Sequence, residues 1–338
     1  MSPPGLTVLV VGGGSMGAMH VRVLHGLDAV DGVVLVDPEP QRRKLLLRSY
    51  PRLRPHADLA AALRQERLDA ACVAVPVPAA PEAAASVIDA RLPLLLEKPM
   101  APTVEEARAV TERAREADVL LSVGYVERFN PAVQALKAEL DRGTGGDVIH
   151  VHARRLSPFP QRRGLAGVTI DLATHDLDVA HFLIGSLPVR VFAETADLGA
   201  SLGEDLLCAS IRYANGVTGL IEANWHTPSK VRELSVTTAG GMFVVSYLTQ
   251  DLSYHEGADA VSAWETLGVM KGANEGRMIR FGLERREPLA VEWERFLAAV
   301  ADGGPAPVSA EDGIAALEAA SAIVEAGATH RPVEMEHA

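Results

Sequence analysis

The sequence has few of the residues that define several large classes of protein. Only two of its 338 residues are cysteines, Cys72 and Cys208. Two cysteines do not supply a disulfide framework, and their spacing matches no zinc site. Because each lies in an apolar, strand-like run, we expect two buried, reduced thiols.

The chain also lacks an excess of basic residues and a long apolar run. It has 32 Lys and Arg against 44 Asp and Glu, a net charge of −12, which argues against a broad surface for nucleic acid or anionic membrane. No apolar run reaches membrane-spanning length, and the N-terminus leads into a strand without a charged-then-apolar leader. We therefore expect a cytoplasmic protein without nucleic-acid or membrane partners.

The length and the 48% hydrophobic content fit two ordinary globular domains. In residues 1–124, apolar strand-like runs alternate with helix-period segments, which predicts βαβ units and a parallel sheet. In residues 125–338, successive strand-like runs lack intervening helices, which predicts an α+β domain with a large open mixed or antiparallel sheet. The uncovered face of such a sheet predicts a homodimer or homotetramer.

Residues 8–17 predict a buried strand, a tight turn and the start of a helix. The glycines follow the spacing Gly12-x-Gly14-x-x-Gly17, the dinucleotide-binding fingerprint of Rossmann domains. Gly12 permits the sharp turn, Gly14 lets the backbone approach a pyrophosphate, and Gly17 lets the helix pack against the strand. The N–H groups at the helix start, at Ser15 and Met16, then face the phosphates.

Asp37 ends the second apolar run, where the fingerprint expects an acid for the ribose hydroxyls. Its carboxylate repels a 2′-phosphate, so we predict NAD rather than NADP as cofactor. Arg42 and Arg43, just downstream, soften that preference. A turn residue before Pro38 is the alternative interpretation of Asp37.

Two further predicted strands end in Val75-Pro76 and in Glu97-Lys98-Pro99. Ligands bind at the carboxyl edge of such sheets, so we expect Val75, Pro76, Glu97 and Lys98 to contact the cofactor. Pro99 restricts Lys98 to extended geometry and permits a cis bond. A surface Glu–Lys pair before a helix is equally open.

Asp171 and His175 are four residues apart, so on a helix they project from one face. A histidine takes up a hydroxyl proton near neutral pH as hydride leaves the carbon. Asp171 then orients the substrate or the imidazole, and Lys98 stabilises the developing oxyanion or lowers the pKa of the base. A helix N-cap at Asp171 and a metal site with His181 are the alternatives. We predict no metal, because no cysteine or third close carboxylate completes a ligand set.

Candidate substrate-binding residues follow the predicted strands. Arginines bracket residues 157–160 and suit a diphosphate, although a solvated basic loop is an equal alternative. Residues at the edge of the first domain's last strand are placed to meet a substrate directly. The predicted substrate-binding residues are Arg128, Asn130, Arg155 and Arg162.

Together these motifs resemble the glucose–fructose oxidoreductase/inositol dehydrogenase (Gfo/Idh/MocA) family over essentially the whole chain. The resemblance implies that Lys98, Asp171 and His175 are catalytic, with His175 as the base. Residues 124–133, 170–179 and 222–234 are similar to its UDP-N-acetylglucosamine 3-dehydrogenase branch. That similarity implies oxidation of a sugar 3-hydroxyl to a ketone.

One departure from the family pattern concerns the segment Pro78-Ala79-Ala80-Pro81. The family often carries a histidine there and this chain has none, so cofactor or sugar contacts at this point are open. An inositol, free-hexose or sugar-phosphate dehydrogenase of the same fold is an alternative. A non-catalytic NAD-binding sensor is an alternative of another class.

Overall fold

A computed structural model describes residues 5–160, 166–199, 203–257 and 276–335. The chain divides into two units, one of residues 1–126 and 287–317 and the other of residues 127–286 and 318–338. The change of unit at residue 126 lies close to the predicted boundary at 124. The predicted domains and the observed units differ over residues 287–317, which the prediction assigns to the second domain and the structure to the first unit.

The first unit contains a six-stranded parallel sheet in the order β3-β2-β1-β4-β5-β6, the strand order of a Rossmann fold. Its strands are β1 (Leu6–Val11), β2 (Val30–Val36), β3 (Arg54–His56), β4 (Ala70–Val73), β5 (Leu94–Glu97) and β6 (Leu121–Gly124). Its helices are α1 (Ser15–Leu24), α2 (Pro40–Ser49), α3 (Leu59–Gln65), α4 (Ala80–Asp89), α5 (Val104–Glu116) and, from the C-terminal part, α8 (Pro288–Asp302).

Helix α8 belongs to the first unit because its apolar face fills that unit's core. Leu289, Trp293 and Phe296 are buried in one cluster with side chains of β1, α1 and β2. An amphipathic sequence reveals that one face is buried but not which sheet buries it. The sequence alone therefore does not indicate which of the two units contains residues 287–317.

Local sequence signals set several helix starts. Thr103 accepts a hydrogen bond from the Glu106 N–H at 3.2 Å and is therefore the N-cap of α5. Asp58 caps α3 in the same way, accepting from the Ala61 N–H at 2.7 Å. Strand β4 ends at Val73, before the predicted end at Val75-Pro76, and a 3₁₀ turn over Val77–Ala79 begins after Pro76.

The second unit contains a nine-stranded sheet in the order β14-β13-β12-β11-β7-β10-β9-β8-β15. Among the strands in the described ranges, only β7 and β10 pair in parallel, so the sheet is mixed, as predicted. The strands are β7 (Val148–Pro158), β8 (Pro188–Ala196), β9 (Leu206–Tyr213), β10 (Thr218–Asn224), β11 (His226–Thr238), β12 (Gly241–Ser246), β13 (Asp251–Glu256), β14 (Met278–Arg280) and β15 (Val333–Glu334). Its helices are α6 (Pro131–Asp141) and α7 (Thr174–Ile184), and α9 (Ala310–Thr329) ends in it.

The two faces of this sheet differ in exposure. Along β9 the side chains of Leu207, Ala209 and Ile211 are buried, whereas the alternate Cys208 is exposed. The prediction of a buried Cys208 is therefore wrong, because the two-residue period of a strand turns it to the other face. Ile149 and Leu220 are also exposed. We call the surface that carries Cys208, Ile149 and Leu220 the outer face.

No helix in the described ranges combines the length and the apolar character that a bilayer crossing requires.

Candidate active site

The glycine turn after β1 has the geometry that its spacing predicts. Gly12 has a φ of +100°, and a Cβ there would overlap the Ala74 carbonyl oxygen. A Cβ on Gly17 would overlap the carbonyl oxygen of Gly12, so helix α1 packs directly on the turn. A Cβ on Gly14 would meet no atom within 4 Å. The space beside Gly14 is therefore open to a ligand, and no side chain caps the helix that starts there.

Asp37 braces this turn from the end of β2. Its carboxylate is 2% exposed and accepts hydrogen bonds from the N–H groups of Gly13 and Glu39, both at 2.7 Å. Arg42 lies 3.5 Å from the same carboxylate, and Arg43 donates to the Asp37 carbonyl. The carboxylate is thus fixed by backbone donors, and two cations lie beside it.

Val75 and Pro76 follow the carboxyl end of β4, the strand beside β1. The Gly12 position comes within 3.3 Å of Val75 Cγ1, measured from an ideal Cβ. The predicted cofactor residues Val75, Ser15 and Met16 therefore cluster around one turn. Ser15 is exposed and Met16 is half-buried.

Glu97 and Lys98 lie at the carboxyl end of β5, and the Lys98–Pro99 bond is cis. Glu97 accepts a hydrogen bond from the Lys98 N–H at 3.2 Å and lies 2.9 Å from His20 Nε2. The Lys98 side chain is half-buried. The lysine therefore stands at the edge of the sheet on a backbone that Glu97 holds.

Asp171 lies in the second unit, in a π-helical turn over Thr169–Ala173 that continues directly into α7. His175 lies in the first turn of α7, and both side chains are partly exposed. Thr174 bonds the Ile170 carbonyl at 2.9 Å through its hydroxyl. A π-helical turn inside a helix is rare and occurs frequently at functional sites. The expected regular helix is thus replaced by a local irregularity at Asp171.

A buried ionic cluster lies beside α7. Arg155 on β7 donates two hydrogen bonds to Asp176, at 2.7 and 2.9 Å, and one to Glu127 at 2.9 Å. Its guanidinium lies 5.3 Å from the centre of the Tyr247 ring. Burial alone lowers the pKa of Arg155, but the carboxylates of Asp176 and Glu127 outweigh it and hold that pKa well above its usual value.

Arg128 and Asn130 are also buried. Arg128 Nε donates to both oxygens of Asp178, at 2.8 and 2.9 Å, and the guanidinium lies 5.1 Å from the Phe182 ring centre. Asn130 caps α6 through the Ala132 N–H and donates to the Tyr247 carbonyl at 3.1 Å. These contacts place Arg128, Asn130 and Arg155 within the framework of the second unit. Direct contact with substrate stays a prediction for all three.

Arg162, the remaining predicted substrate residue, lies outside the described residues. The sequence analysis missed Arg232 on β11, whose Nη1 lies 3.4 Å from Glu127 and which is 35% exposed. Burial lowers the pKa of Arg232, as does Arg155, against the opposing pull of Glu127, Asp176 and Asp171. The sequence of β7 does contain a signal for this cluster. Val151, Ala153 and Arg155 alternate with other residues, so the strand's two-residue period turns Arg155 to the same buried face as Val151 and Ala153.

Within the described ranges, no group of three or more His, Cys, Asp or Glu side chains is arranged to hold a metal ion. Trp225, in the segment 222–234, is buried and packs edge-on against Phe159 with ring centres 5.5 Å apart.

Comparisons with known proteins agree with this architecture. Residues 6–125 match the profile of an oxidoreductase family with an NAD-binding Rossmann fold, and residues 133–244 match the GFO/IDH/MocA C-terminal domain. The chain is 30% identical over 341 residues to inositol 2-dehydrogenase 1 of Saccharopolyspora erythraea, covering 97% of this chain and 95% of the relative.

Another relative is UDP-N-acetylglucosamine 3-dehydrogenase of Acidithiobacillus ferrooxidans, 28% identical over 297 residues, which are 88% of this chain and 89% of the relative. A solved structure of that enzyme superposes with a TM-score of 0.82 at 26% identity and covers 96% of this chain and 98% of its own. The open space at Gly14, the bare start of α1 and the Asp37 carboxylate fit the cofactor that the first profile names. The chain belongs to the GFO/IDH/MocA oxidoreductase family, and it is an NAD-dependent enzyme of the dehydrogenase type.

Proposed function

We propose that this enzyme oxidises a secondary hydroxyl of a sugar or polyol to a ketone and transfers the hydride to NAD. The observation that carries the proposal is the Asp171-x-x-x-His175 pair at the π-helical turn of α7, in a chain whose other unit binds NAD. An alcohol carbon loses hydride to the nicotinamide and its oxygen loses a proton, so the products are ketone, NADH and one proton.

The proton and the charge are handled by the chain's own residues. His175 removes the hydroxyl proton, since an imidazole exchanges protons near neutral pH. Asp171 orients the imidazole or the substrate, and the Lys98 ammonium stabilises the oxygen as its negative charge grows. NAD, when bound, supplies the hydride acceptor. Gly14, Ser15, Met16 and Asp37 are the residues that we assign to hold it.

For the substrate we propose a nucleotide sugar, with the 3-hydroxyl of UDP-N-acetylglucosamine as the position oxidised. This proposal is supported by the relative with that activity, which aligns over 88% of this chain. It also needs cations for the diphosphate. Arg154 pairs with Glu222 at 3.1 Å on the face of the sheet that carries Cys208, so Arg162 is the arginine that we propose for this role.

An uncharged polyol such as an inositol is the second candidate. Arg128 and Arg155 are engaged by buried carboxylates, and Arg232 lies beside Glu127. A neutral polyol carries no charge that needs an arginine. Its binding therefore leaves these arginines paired with their carboxylates. The inositol dehydrogenase relative aligns over 97% of this chain and supports this candidate as well.

A substrate panel separates the candidates. The enzyme with NAD is offered UDP-N-acetylglucosamine, myo-inositol, glucose and glucose 6-phosphate, and NADH absorbance is followed with mass spectrometry of the product. We expect turnover of UDP-N-acetylglucosamine with the loss of two hydrogens from the sugar. Turnover of myo-inositol alone would select the second candidate, and no turnover of any of the four would contradict the proposal.

The roles of the catalytic residues are tested on the substrate so identified. His175→Ala should lower kcat by roughly 10²–10⁴-fold with NAD affinity retained, because a general base is lost. His255→Ala, an exposed histidine of β13, is the matched control. Equal kcat in the two variants would remove His175 from the mechanism.

We also propose that a second copy of the chain covers the outer face of the nine-stranded sheet. The exposed apolar side chains of Ile149 and Leu220 support this, since a monomer rarely exposes such a surface without a partner.

A further inference from the structure

His20 is a buried histidine whose two ring nitrogens both have polar partners. It lies on α1 and is 0% exposed. Its Nδ1 accepts a hydrogen bond from the indole N–H of Trp293 at 2.9 Å, and its Nε2 lies 2.9 Å from Glu97 Oε1. His20 therefore connects α8 to the end of β5.

The chemistry of the partners fixes the direction of these hydrogen bonds. An indole N–H is only a donor, so Nδ1 of His20 must be the unprotonated, accepting nitrogen. In the neutral ring the hydrogen then resides on Nε2, which donates to the Glu97 carboxylate. The result is a one-way chain of hydrogen bonds from Trp293 through His20 to Glu97.

The carboxylate at the end of this chain holds the backbone of Lys98. Glu97 Oε2 accepts from the Lys98 N–H at 3.2 Å. On the far side, a Cβ on Gly124 would lie 3.0 Å from both Cδ and Oε1 of Glu97, so the glycine provides the space that the carboxylate occupies. Glu97 is thus confined by His20, by Lys98 and by β6.

We propose that Trp293, His20 and Glu97 are positioning residues for Lys98, and that helix α8 thereby completes the cofactor-binding unit. The effect on turnover rests on the catalytic role of Lys98 proposed above. Trp293 contributes one hydrogen-bond donor, its indole N–H, to this chain of hydrogen bonds, although it lies 273 positions from His20 in the sequence. Packing alone would need the ring of Trp293 but not its N–H group.

The test compares Trp293→Phe with Phe296→Leu. The first variant keeps an aromatic ring and loses the donor. The second loses packing against Trp293, whose ring centre is 5.7 Å away, and touches no hydrogen bond of the chain. We expect Trp293→Phe to lower kcat by roughly 3–10-fold, the worth of one hydrogen bond, with KM for NAD unchanged. Phe296→Leu should lower thermal stability with kcat retained.

A second readout does not depend on activity. In ¹⁵N spectra of the full-length protein, assigned with His20→Gln, His20 should be the neutral Nε2–H tautomer. The Lys98 amide resonance should shift in Trp293→Phe and Glu97→Gln but not in Phe296→Leu. A protonated Nδ1 in the wild type, or an unmoved Lys98 amide in Trp293→Phe, would overturn the proposal. If these shifts occur and Lys98→Ala retains full kcat, the hydrogen-bond chain stands and the catalytic role of Lys98 fails.

Discussion

At the scale of single residues, two glycines in one turn serve separable purposes. A Cβ on Gly17 would overlap the backbone of Gly12, whereas a Cβ on Gly14 would enter open space. Gly14 has a φ of −68°, which alanine adopts without strain. Packing within the protein therefore requires glycine at position 17, whereas at position 14 only the approach of a ligand requires it.

Alanine substitutions should separate these two constraints. We expect Gly17→Ala to destabilise the protein by about 1–3 kcal/mol, as overpacking does. Gly14→Ala should unfold at the wild-type denaturant concentration yet bind NAD at least roughly tenfold more weakly, a loss of about 1.4 kcal/mol. Chemical denaturation and calorimetric titration with NAD measure the two effects. Unchanged NAD affinity in Gly14→Ala would show that the pyrophosphate does not approach this residue.

At the scale of elements, buried ion pairs join α7 to β7 through Arg155 and to the 3₁₀ turn over Val126–Phe129 through Arg128. The side chains of Arg128 and Asp178 are 6% and 0% exposed, and those of Arg155 and Asp176 are 3% and 1% exposed. Removal of one member of a buried pair is costly because a desolvated charge loses its main partner. These pairs therefore fix the start of α7, where Asp171 and His175 lie.

Asp178→Ala should lower the free energy of unfolding by about 3–5 kcal/mol. Urea denaturation followed by circular dichroism measures this loss. The control is Asp89→Ala, which breaks the exposed pair with Arg113 and should leave the urea midpoint unchanged. Similar midpoints for both variants would mean that the buried pair contributes little to the second unit.

How much of this structure can be predicted from the sequence depends on how far apart the interacting residues lie along the chain. The turn at Gly12 and the cap at Thr103 follow from local patterns within a few residues. The pair of Arg155 with Asp176 joins residues of a strand and a helix 21 positions apart, and only the inward period of β7 indicates it. The bond between Trp293 and His20 leaves no pattern in either segment, since any buried apolar helix face would look the same.

At the scale of the whole molecule, the two cysteines report on the proposed self-association. Burial raises the pKa of the Cys72 thiol well above its usual value, and Glu97 and Glu292 add to the effect. Cys208 lies on the outer face and is exposed, and partial burial with Glu222 raises its pKa less strongly. Iodoacetamide reacts with thiolates, so only Cys208 of the native chain should react.

If a second copy covers the outer face, alkylation of Cys208 at pH 8.5 should slow as protein concentration rises. Cys72 should react only after denaturation, and Cys208→Ser should abolish the native reaction. Sedimentation equilibrium over the same concentrations should give a mass of two or four chains. A single-chain mass with concentration-independent alkylation would rule out the proposed assembly.

The division of the first unit between residues 1–126 and 287–317 has a consequence for how the chain is made. Ribosomes deliver a chain from its N-terminus, and domains generally fold as units as they emerge. Here Trp293 and Phe296 join the core of the first unit from a helix that is translated only after residues 127–286. The unit whose synthesis begins first therefore cannot complete its core until most of the second unit has been made.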